Sequence, residues 1–506
     1  MDQTADEIAD SLTERAEIRR LEALRAHPAE HRERLGQFFT PKLAAQFMAG
    51  LVRLRREGRI RVLDPGAGSG ALAAAIAARV MRECPAATLE IVAVELDAGI
   101  ERFLKETLED ITASARQAGV RIDYQLVTGD FIELYANGEE SREFDVVIMN
   151  PPYRKLGVTS AYRKSLLKLG VDCANLYAGF LALGTMSLTD GGQLVAITPR
   201  SFTNGPYFNQ FRRFLLDRVS LDLIHVFESR STVFSDTGVL QENIVFSATR
   251  GGDRGEVLLS SSRGHTDEPV QRTVDYSEVL EPSDENGFIR LLVADNDTAV
   301  AETMAHMPAV LADIGAGVST GRVVDFRSRE CLQPSPLLGS HALIYPGNLR
   351  GGVVEWPRAI RKDQGFSVRE PKDASLLMPE GYYVVVKRFS AKEERRRVVA
   401  SVWDPTVHPG AIAFENHLNV FHAKGAGLTR DQAVGLSYWL NSSLVDKFFR
   451  TFSGHTQVNA TDLRSLRFPP LSVLTTHGKE LTAALPSQTE IDSAVASMIT
   501  SSKAAV

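Results

Sequence analysis

The sequence predicts an α/β fold: a mostly parallel sheet covered by helices on both faces, followed by a domain of different architecture. Three observations carry this. Between residues 60 and 250 short apolar runs alternate with helical periodicity, a glycine loop joins the first run to an Ala-rich helix, and the alternation stops beyond residue 300. Strands separated by helices need crossover connections, and those connections build parallel sheets buried on both sides.

Residues 1–34 are charged and read as a helical extension on the periphery. Thr40-Pro41 marks the next helix start, because Thr can cap free N–H groups and Pro suits the first helical position. Strands are expected at Arg61–Leu63, Glu90–Glu95, Tyr124–Val127, Asp145–Met149, Gln193–Thr198 and Asp222–Phe227. Residues 250–287 are rich in Gly, Ser, Asp and Pro and read as loops around one or two strands, which puts a domain border near 250. The expected organisation is an extension (1–34), a first domain (35–250), a connecting region (251–300), a second domain (301–470) and a tail (471–506). In the second domain Tyr382–Lys387 and Arg397–Trp403 read as strands and Arg430–Arg450 as one amphipathic helix.

Of 506 residues 44% are hydrophobic and 24% charged, which excludes a disordered or fibrous chain. Apolar runs such as Leu194–Thr198 are too short to span a bilayer, and the N-terminus has no apolar signal core. Three separated cysteines cannot make a disulfide framework. A soluble cytoplasmic protein with no membrane partner is expected. The net charge of −6 argues against nucleic acid, since phosphate binding needs Lys and Arg. Residues 381–400 run against that balance, with six basic side chains (Lys387, Arg388, Lys392, Arg395, Arg396, Arg397) and two acidic ones.

The glycine loop follows the first strand as Asp64-Pro65-Gly66-Ala67-Gly68-Ser69-Gly70. Glycines there let the backbone pass close to a ligand. The pattern is G-x-G-x-G and lacks the Lys of a phosphate-cradling loop. Glu95, at the end of the second strand, can accept hydrogen bonds from both ribose hydroxyls of an adenosine-containing cofactor. At this point NAD and S-adenosylmethionine both remain open.

Asn150-Pro151-Pro152-Tyr153 decides between them. It places an amide, two prolines and an aromatic ring at the carboxyl end of a central strand, where open α/β sheets bind substrate. The lone pair of adenine N6 is delocalised into the ring, so the amine is a poor nucleophile. The Asn150 side-chain oxygen and the Pro151 carbonyl can accept its two N–H bonds, favouring a pyramidal nitrogen aimed at a methyl donor. Prolines fix the carbonyl direction. Tyr153 can stack on a base extruded from the duplex, and such stacking is worth roughly 1–3 kcal/mol.

In order, the glycine loop, Glu95, Asp130-Phe131 and NPPY resemble the successive motifs of class I, Rossmann-like S-adenosylmethionine-dependent amino methyltransferases. Gly36-Gln37-Phe38-Phe39-Thr40-Pro41 is similar to the motif that closes over the methionine end of the cofactor in DNA adenine methyltransferases. The resemblance implies that Asp130 binds the cofactor adenine amine and Phe131 packs on its ring. Cofactor motif first and target recognition last is the γ-type order. Val318–Arg327, Val386–Arg397, Glu415–Val420 and Phe452–Leu463 look like segments of the Eco57I-related group, especially its PstI/BsuBI-type modification enzymes. That resemblance, spanning about 36–470, implies adenine-N6 methylation within CTGCAG in double-stranded DNA. It also implies a bacterial cytoplasmic setting, a monomer, and a cognate restriction endonuclease on a separate chain.

Such a C-terminal region makes chemical sense as a DNA-reading surface. Arg and Lys fork onto guanine, while Asn and Gln pair with adenine. The basic window and His455, Thr456, Gln457 and Asn459 supply both kinds, with the clustered charges expected mostly on phosphates. No Pro-Cys nucleophile, Walker loop or carboxylate-Lys nuclease cluster is evident. No metal site is expected, and His417 and His422, without a cysteine, read as structural. Methylation of cytosine N4, RNA or a protein glutamine, a non-catalytic specificity subunit, and an NAD dehydrogenase are the competing readings.

Overall fold

The computed structural model describes residues 4–504 apart from 139–142, 228–241, 265–266, 283, 294–296, 335–338, 391–393 and 454–455. Lys392 and His455 lie outside the described residues. The chain forms two compact units, Met1–Val293 and Ala294–Val506. Among the described residues no helix is long and apolar enough to cross a membrane.

The first unit carries nine strands: β1 (Glu57–Pro65), β2 (Ala86–Glu95), β3 (Arg121–Thr128), β4 (Phe144–Met149), β5 (Leu188–Pro199), β6 (Val219–Phe227), β7 (Asn243–Arg250), β8 (Glu256–Ser262) and β9 (Val270–Asp275). They form one sheet in the order β3-β2-β1-β4-β5-β7-β6-β8-β9. The core β3-β2-β1-β4-β5 is parallel throughout, and β7 runs antiparallel between β5 and β6. All six expected strands are present and longer at their ends, where edge-facing polar residues still make ladder bonds that hydropathy does not register. The strand order reverses between the parallel neighbours β1 and β4, so they open a crevice at their carboxyl ends.

The helices are α1 (Ala5–Ala26), α2 (Ala29–Leu35), α3 (Lys42–Gly50), α4 (Ala71–Glu83), α5 (Ala98–Gln117), α6 (Phe131–Ala136), α7 (Ala161–Lys168), α8 (Leu176–Met186) and α9 (Asn209–Leu216). Small side chains let α4 sink almost wholly into the core, with Ala73, Ala74, Ile76 and Ala77 buried. The N-terminal extension departs from expectation. Ile8, Leu12 and Ala16 of α1 join the same core cluster as Leu72 and Ile76. Arg15 and Arg19 of α1 also pair with Asp110 of α5, at 2.7 and 2.8 Å. One face of α1 is thus integral to the domain.

The connecting region is corrected as well. β8 and β9 extend the first sheet beyond β6, so this unit ends at Val293 rather than near 250. The connections around the edge strands β8 and β9 share the turn-rich composition of a linker.

The second unit holds a six-stranded and a five-stranded sheet, both of short strands. Tyr383–Lys387 lies centrally, antiparallel to Ala400–Trp403 on one side and to Leu418–His422 on the other. The helix expected over Arg430–Arg450 is two helices, Arg430–Leu440 and Ser443–Phe452. Asn441 breaks it by turning its side chain onto the backbone of Ala400, and Ser442 caps the second piece. The expected tail is ordered as Leu471–Glu480 and Gln488–Ala504.

Candidate active site and nucleic-acid interface

The carboxyl ends of β1, β2 and β4 border a pocket enclosing about 920 Å³ of empty space, its open mouth included. Its wall includes Gln37, Phe38, Phe39, Thr40, Gly66, Gly68, Glu95, Asp130, Phe131, Asn150 and Pro152. Residues from five separate parts of the sequence are therefore brought to one cavity. Pro41, Asp64, Gly70, Pro151 and Tyr153 stand outside the lining.

The glycine loop is built by left-handed backbone at Gly66, Gly68 and Gly70, with φ of 77°, 57° and 86°. At Gly68 a Cβ would come within 3.3 Å of the Phe39 ring, so the loop and the Phe38-Phe39 segment approach as closely as glycine allows. Gly70 serves a different purpose. A Cβ there would meet Thr107 at 3.0 Å and Leu104 at 3.1 Å, so it is packing of α4 against α5 that excludes a side chain.

Glu95 is buried. Its carboxylate accepts the Gly68 N–H at 2.8 Å and the Asp97 N–H at 2.9 Å. Burial pushes this carboxyl up, with the two N–H bonds opposing. Asp64 lies deeper, fully buried, and neither carboxyl oxygen has a hydrogen-bond partner. Burial first and neighbouring Glu95 second push its carboxyl up to about 8.

Asp130 caps α6: one oxygen accepts from Ile132 N at 2.9 Å and Glu133 N at 3.2 Å. The other accepts the Tyr162 hydroxyl at 2.5 Å. Burial and that bond push the Tyr162 phenol up to about 12. Phe131 packs on Phe180, ring centroids 5.3 Å apart, to make an apolar wall. Tyr162 and Phe180 were missed by sequence reasoning, because both sit in helices whose apolar periodicity reads as ordinary core.

Asn150 is the most informative side chain. Its Nδ2 donates to the Phe38 carbonyl at 2.7 Å and to Thr40 Oγ1 at 3.1 Å. Its Oδ1 is buried and has no hydrogen-bond partner among the described residues. The amide is thus anchored by its donor end, with its acceptor end left over beside the pocket. The expected capping role of Thr40 is corrected here. α3 starts at Lys42, Pro41 occupies the cap position without a side-chain bond, and the Thr40 hydroxyl serves Asn150 instead. Tyr153 is half-buried. Its hydroxyl donates to Ile197 O at 3.1 Å, and its ring lies 5.3 Å from Phe38 and edge-on to Tyr177.

A histidine-carboxylate cluster steadies the same wall. Asp97 Oδ2 accepts from His31 Nε2 at 2.9 Å and from Gln37 Nε2 at 3.3 Å, and His27 Nε2 lies 3.9 Å away. Three such ligand atoms lie within 4.8 Å of one another, close enough to hold a metal. Arg34 Nη2 lies 3.1 Å from His31 Nδ1, and since arginine only donates, that ring proton sits on Nε2 and bonds Asp97. In this state the cluster is a hydrogen-bonded clamp on Gln37, whose own Oε1 is buried without a partner.

In the second unit the four resembling segments converge on one end of the six-stranded sheet. Gly317–Thr320 pairs with Leu418–His422, which pairs with Tyr383–Lys387. Val458 N bonds Arg388 O, Ser390 N bonds Thr456 O, and Asn416 N bonds Val323 O. This surface carries Lys387, Arg388, Thr456 and Gln457, with Phe389 and His417 exposed among them.

One of the expected DNA contacts is corrected, and two others are engaged within the fold. Arg397 is buried, donating to Ser453 O at 3.1 Å and Ser453 Oγ at 3.2 Å, with its guanidinium over Phe449. Arg396 is half-buried and donates to Gln488 Oε1 at 2.7 Å and to Asn441 O. Burial pushes its guanidinium down. Asn459 caps Ala460–Arg464 in a reciprocal box with Asp462. A run of arginines shows charge but not direction, and alternate residues of an extended segment face opposite ways. Arg395 remains exposed, while the Arg388 guanidinium donates to Asn416 O at 3.2 Å and Gln457 Oε1 at 3.4 Å.

Residues 93–234 match the family described as Eco57I restriction-modification methylase. The Type II methyltransferase M.BsuBI of Bacillus subtilis is 39% identical over 477 residues, covering 92% of this chain and 94% of that protein. The Type II methyltransferase M.PstI of Providencia stuartii is 37% identical over 470 residues, covering 91% and 92%. Among solved structures, the Type IIL restriction-modification enzyme MmeI in complex with DNA aligns with a TM-score of 0.57 at 10% identity. That alignment covers 92% of this chain and 72% of MmeI and is a likeness of fold. The sheet order and these relatives bear out the expected fold class, a class I S-adenosylmethionine-dependent methyltransferase with a mixed C-terminal domain. With sequence likeness running nearly end to end, the chain belongs to the Type II restriction-modification methyltransferases, the family of M.BsuBI and M.PstI.

Proposed function

We propose that the chain methylates adenine N6 in double-stranded DNA, using S-adenosylmethionine, within a short palindrome for which CTGCAG is the site implied by sequence resemblance. The observation that carries this reading is the buried Asn150 Oδ1 left without a partner beside a pocket lined by Gly68, Glu95, Asp130 and Phe131. Burying an amide oxygen unpaired costs on the order of 1–3 kcal/mol, which a bound amine relieves.

The lining fits the cofactor by its chemistry. Glu95 offers carboxylate lone pairs to ribose hydroxyls, the Phe131–Phe180 wall suits an adenine ring, and Asp130 offers an acceptor to its amine. The cofactor supplies an electrophilic methyl group. The chain supplies position: Asn150 Oδ1 and the Pro151 carbonyl accept the two N6–H bonds, and Tyr153, steadied by its bond to Ile197, supports the flipped base. Holding reactants in near-attack geometry can contribute ~7–11 kcal/mol, so no covalent nucleophile is required. The free cysteines Cys84, Cys173 and Cys331 are all buried, which fits such a direct transfer. In this reading the second unit selects the site, the protein works as a monomer in the bacterial cytoplasm, and a separate endonuclease shares the sequence.

Single-molecule sequencing of DNA from cells expressing this chain tests the reading. N6-methyladenine at one short motif, CTGCAG in the expected case, supports it. N4-methylcytosine would overturn the base assignment, and unmodified DNA would overturn the reading as a whole.

A further inference from the structure

The turn Glu415-Asn416-His417 carries the chain from the strand Ile412–Phe414 of one sheet to Leu418–His422 of the other. Glu415 is buried and His417 is exposed. One Glu415 oxygen accepts the His417 backbone N–H at 2.9 Å, and the other lies 2.5 Å from His417 Nδ1. In the neutral imidazole, a carboxylate accepting on both oxygens puts the ring proton on Nδ1 and leaves Nε2 as an acceptor facing away from Glu415. The Phe389 ring, centroid 5.0 Å away, supports the imidazole from one side.

The turn is held rigidly. Gly321 N donates to Leu418 O at 2.8 Å, and a Cβ on Gly321 would lie 2.1 Å from Glu415 O, so only glycine lets that segment press on the turn. The contact with buried Glu415 fixes the ring's position, and the close approach of Gly321 fixes the turn that carries it. Such support preorganises a group for contact.

We propose that His417 is a specificity-determining residue: its Nε2 reads an exocyclic amine, cytosine N4 or adenine N6, on a base of the recognition site other than the one methylated. A phosphate offers only acceptors, so an acceptor nitrogen has no partner on the backbone, whereas the major groove presents amines on A and C. Lys387 and Arg388 beside it supply only donors, suited to phosphates and guanine. The inference rests on the reading of the chain as a sequence-specific DNA methyltransferase.

The test compares full-length wild type with His417→Ala, His417→Gln, His417→Phe and Lys387→Ala. Purified proteins are assayed on duplexes in which each base pair of the wild-type motif is replaced in turn, and motifs are read from DNA of expressing cells. His417→Ala and His417→Phe are expected to lose discrimination at one base pair by roughly 5- to 150-fold, the others unchanged. His417→Gln, which retains an acceptor, keeps most of it. Lys387→Ala lowers methylation on all duplexes alike. Should His417→Ala fail to fold, His417→Phe preserves the ring packing and is read in the same way. Equal discrimination at every position, or a uniform loss like that of Lys387→Ala, overturns the role of His417 and leaves the methyltransferase reading intact. A wild-type chain that marks no DNA overturns that reading and this inference with it.

Discussion

Replacing Asn150 by alanine removes an acceptor from the pocket and a double donor from its wall, and the two losses read out in different assays. The donor end holds the Phe38 carbonyl at 2.7 Å and Thr40 Oγ1 at 3.1 Å. At about 0.5–1.5 kcal/mol net for each bond, their loss costs roughly 1–3 kcal/mol of stability, with the Phe38-Thr40 segment loosened. The acceptor end makes its bond only with substrate. By analogy with removing one preorganised oxyanion donor, its loss lowers turnover by about 10²- to 10³-fold. Thr40→Val separates the two, because it deletes one wall bond and leaves Oδ1 in place. The assay is transfer of labelled methyl to duplex DNA, with cofactor affinity by calorimetry and stability from urea midpoints. Asn150→Ala should lose most turnover while retaining cofactor binding, and Thr40→Val should lose about 0.5–1.5 kcal/mol of stability and little turnover. Wild-type turnover by Asn150→Ala, or an equal loss of turnover in both variants, would refute the assignment of Oδ1 to the reacting amine.

Asp64 gives a pH prediction. Its carboxyl titrates at about 8 when folded and near ~3.9 unfolded, so folding takes up a proton between those values and stability falls as pH rises through that window. Asp64→Asn should make the decline of the urea midpoint from about pH 4 to about pH 8 shallower, and an unchanged slope would show that Asp64 does not titrate there. Tyr162→Phe removes the 2.5 Å bond to Asp130 and should weaken cofactor binding by about 1 kcal/mol, roughly fivefold in calorimetry. Unchanged affinity would mean that helix capping alone positions Asp130. Arg395→Ala should flatten the salt dependence of DNA binding by about 0.9 in log-log slope without altering stability. Arg397→Ala should do the reverse, costing about 1–3 kcal/mol of stability through the lost Ser453 bonds. The opposite pattern would return Arg397 to the DNA surface.

The parts of the site legible in sequence share a property: each is local. A glycine loop between a strand and a helix, a carboxylate at the next strand end and NPPY after a third can be recognised within windows of a few residues. The sheet then brings them together of necessity, since parallel strands present their carboxyl ends to one edge. Tyr162 and Phe180 complete the same pocket from helices α7 and α8, where nothing local distinguishes a wall residue from a core residue. β8 and β9 meet the same difficulty, because short connections at a sheet edge and a linker share a turn-rich composition.

Charge shows the same division in the second unit. The sequence by itself determined that basic residues cluster between 387 and 397 and that acceptors and amides recur near 415 and 457. Only the tertiary structure decided that Arg397 turns inward onto Ser453, that Asn459 caps a helix, and that His417 stands exposed with its Nδ1 against buried Glu415. It likewise decided which end of Asn150 is used up and which is left over. The physical reason is common to all of these. Residue type fixes which hydrogen bonds a side chain can make, but which of them remain available depends on neighbours that are distant in the chain and are supplied only by folding.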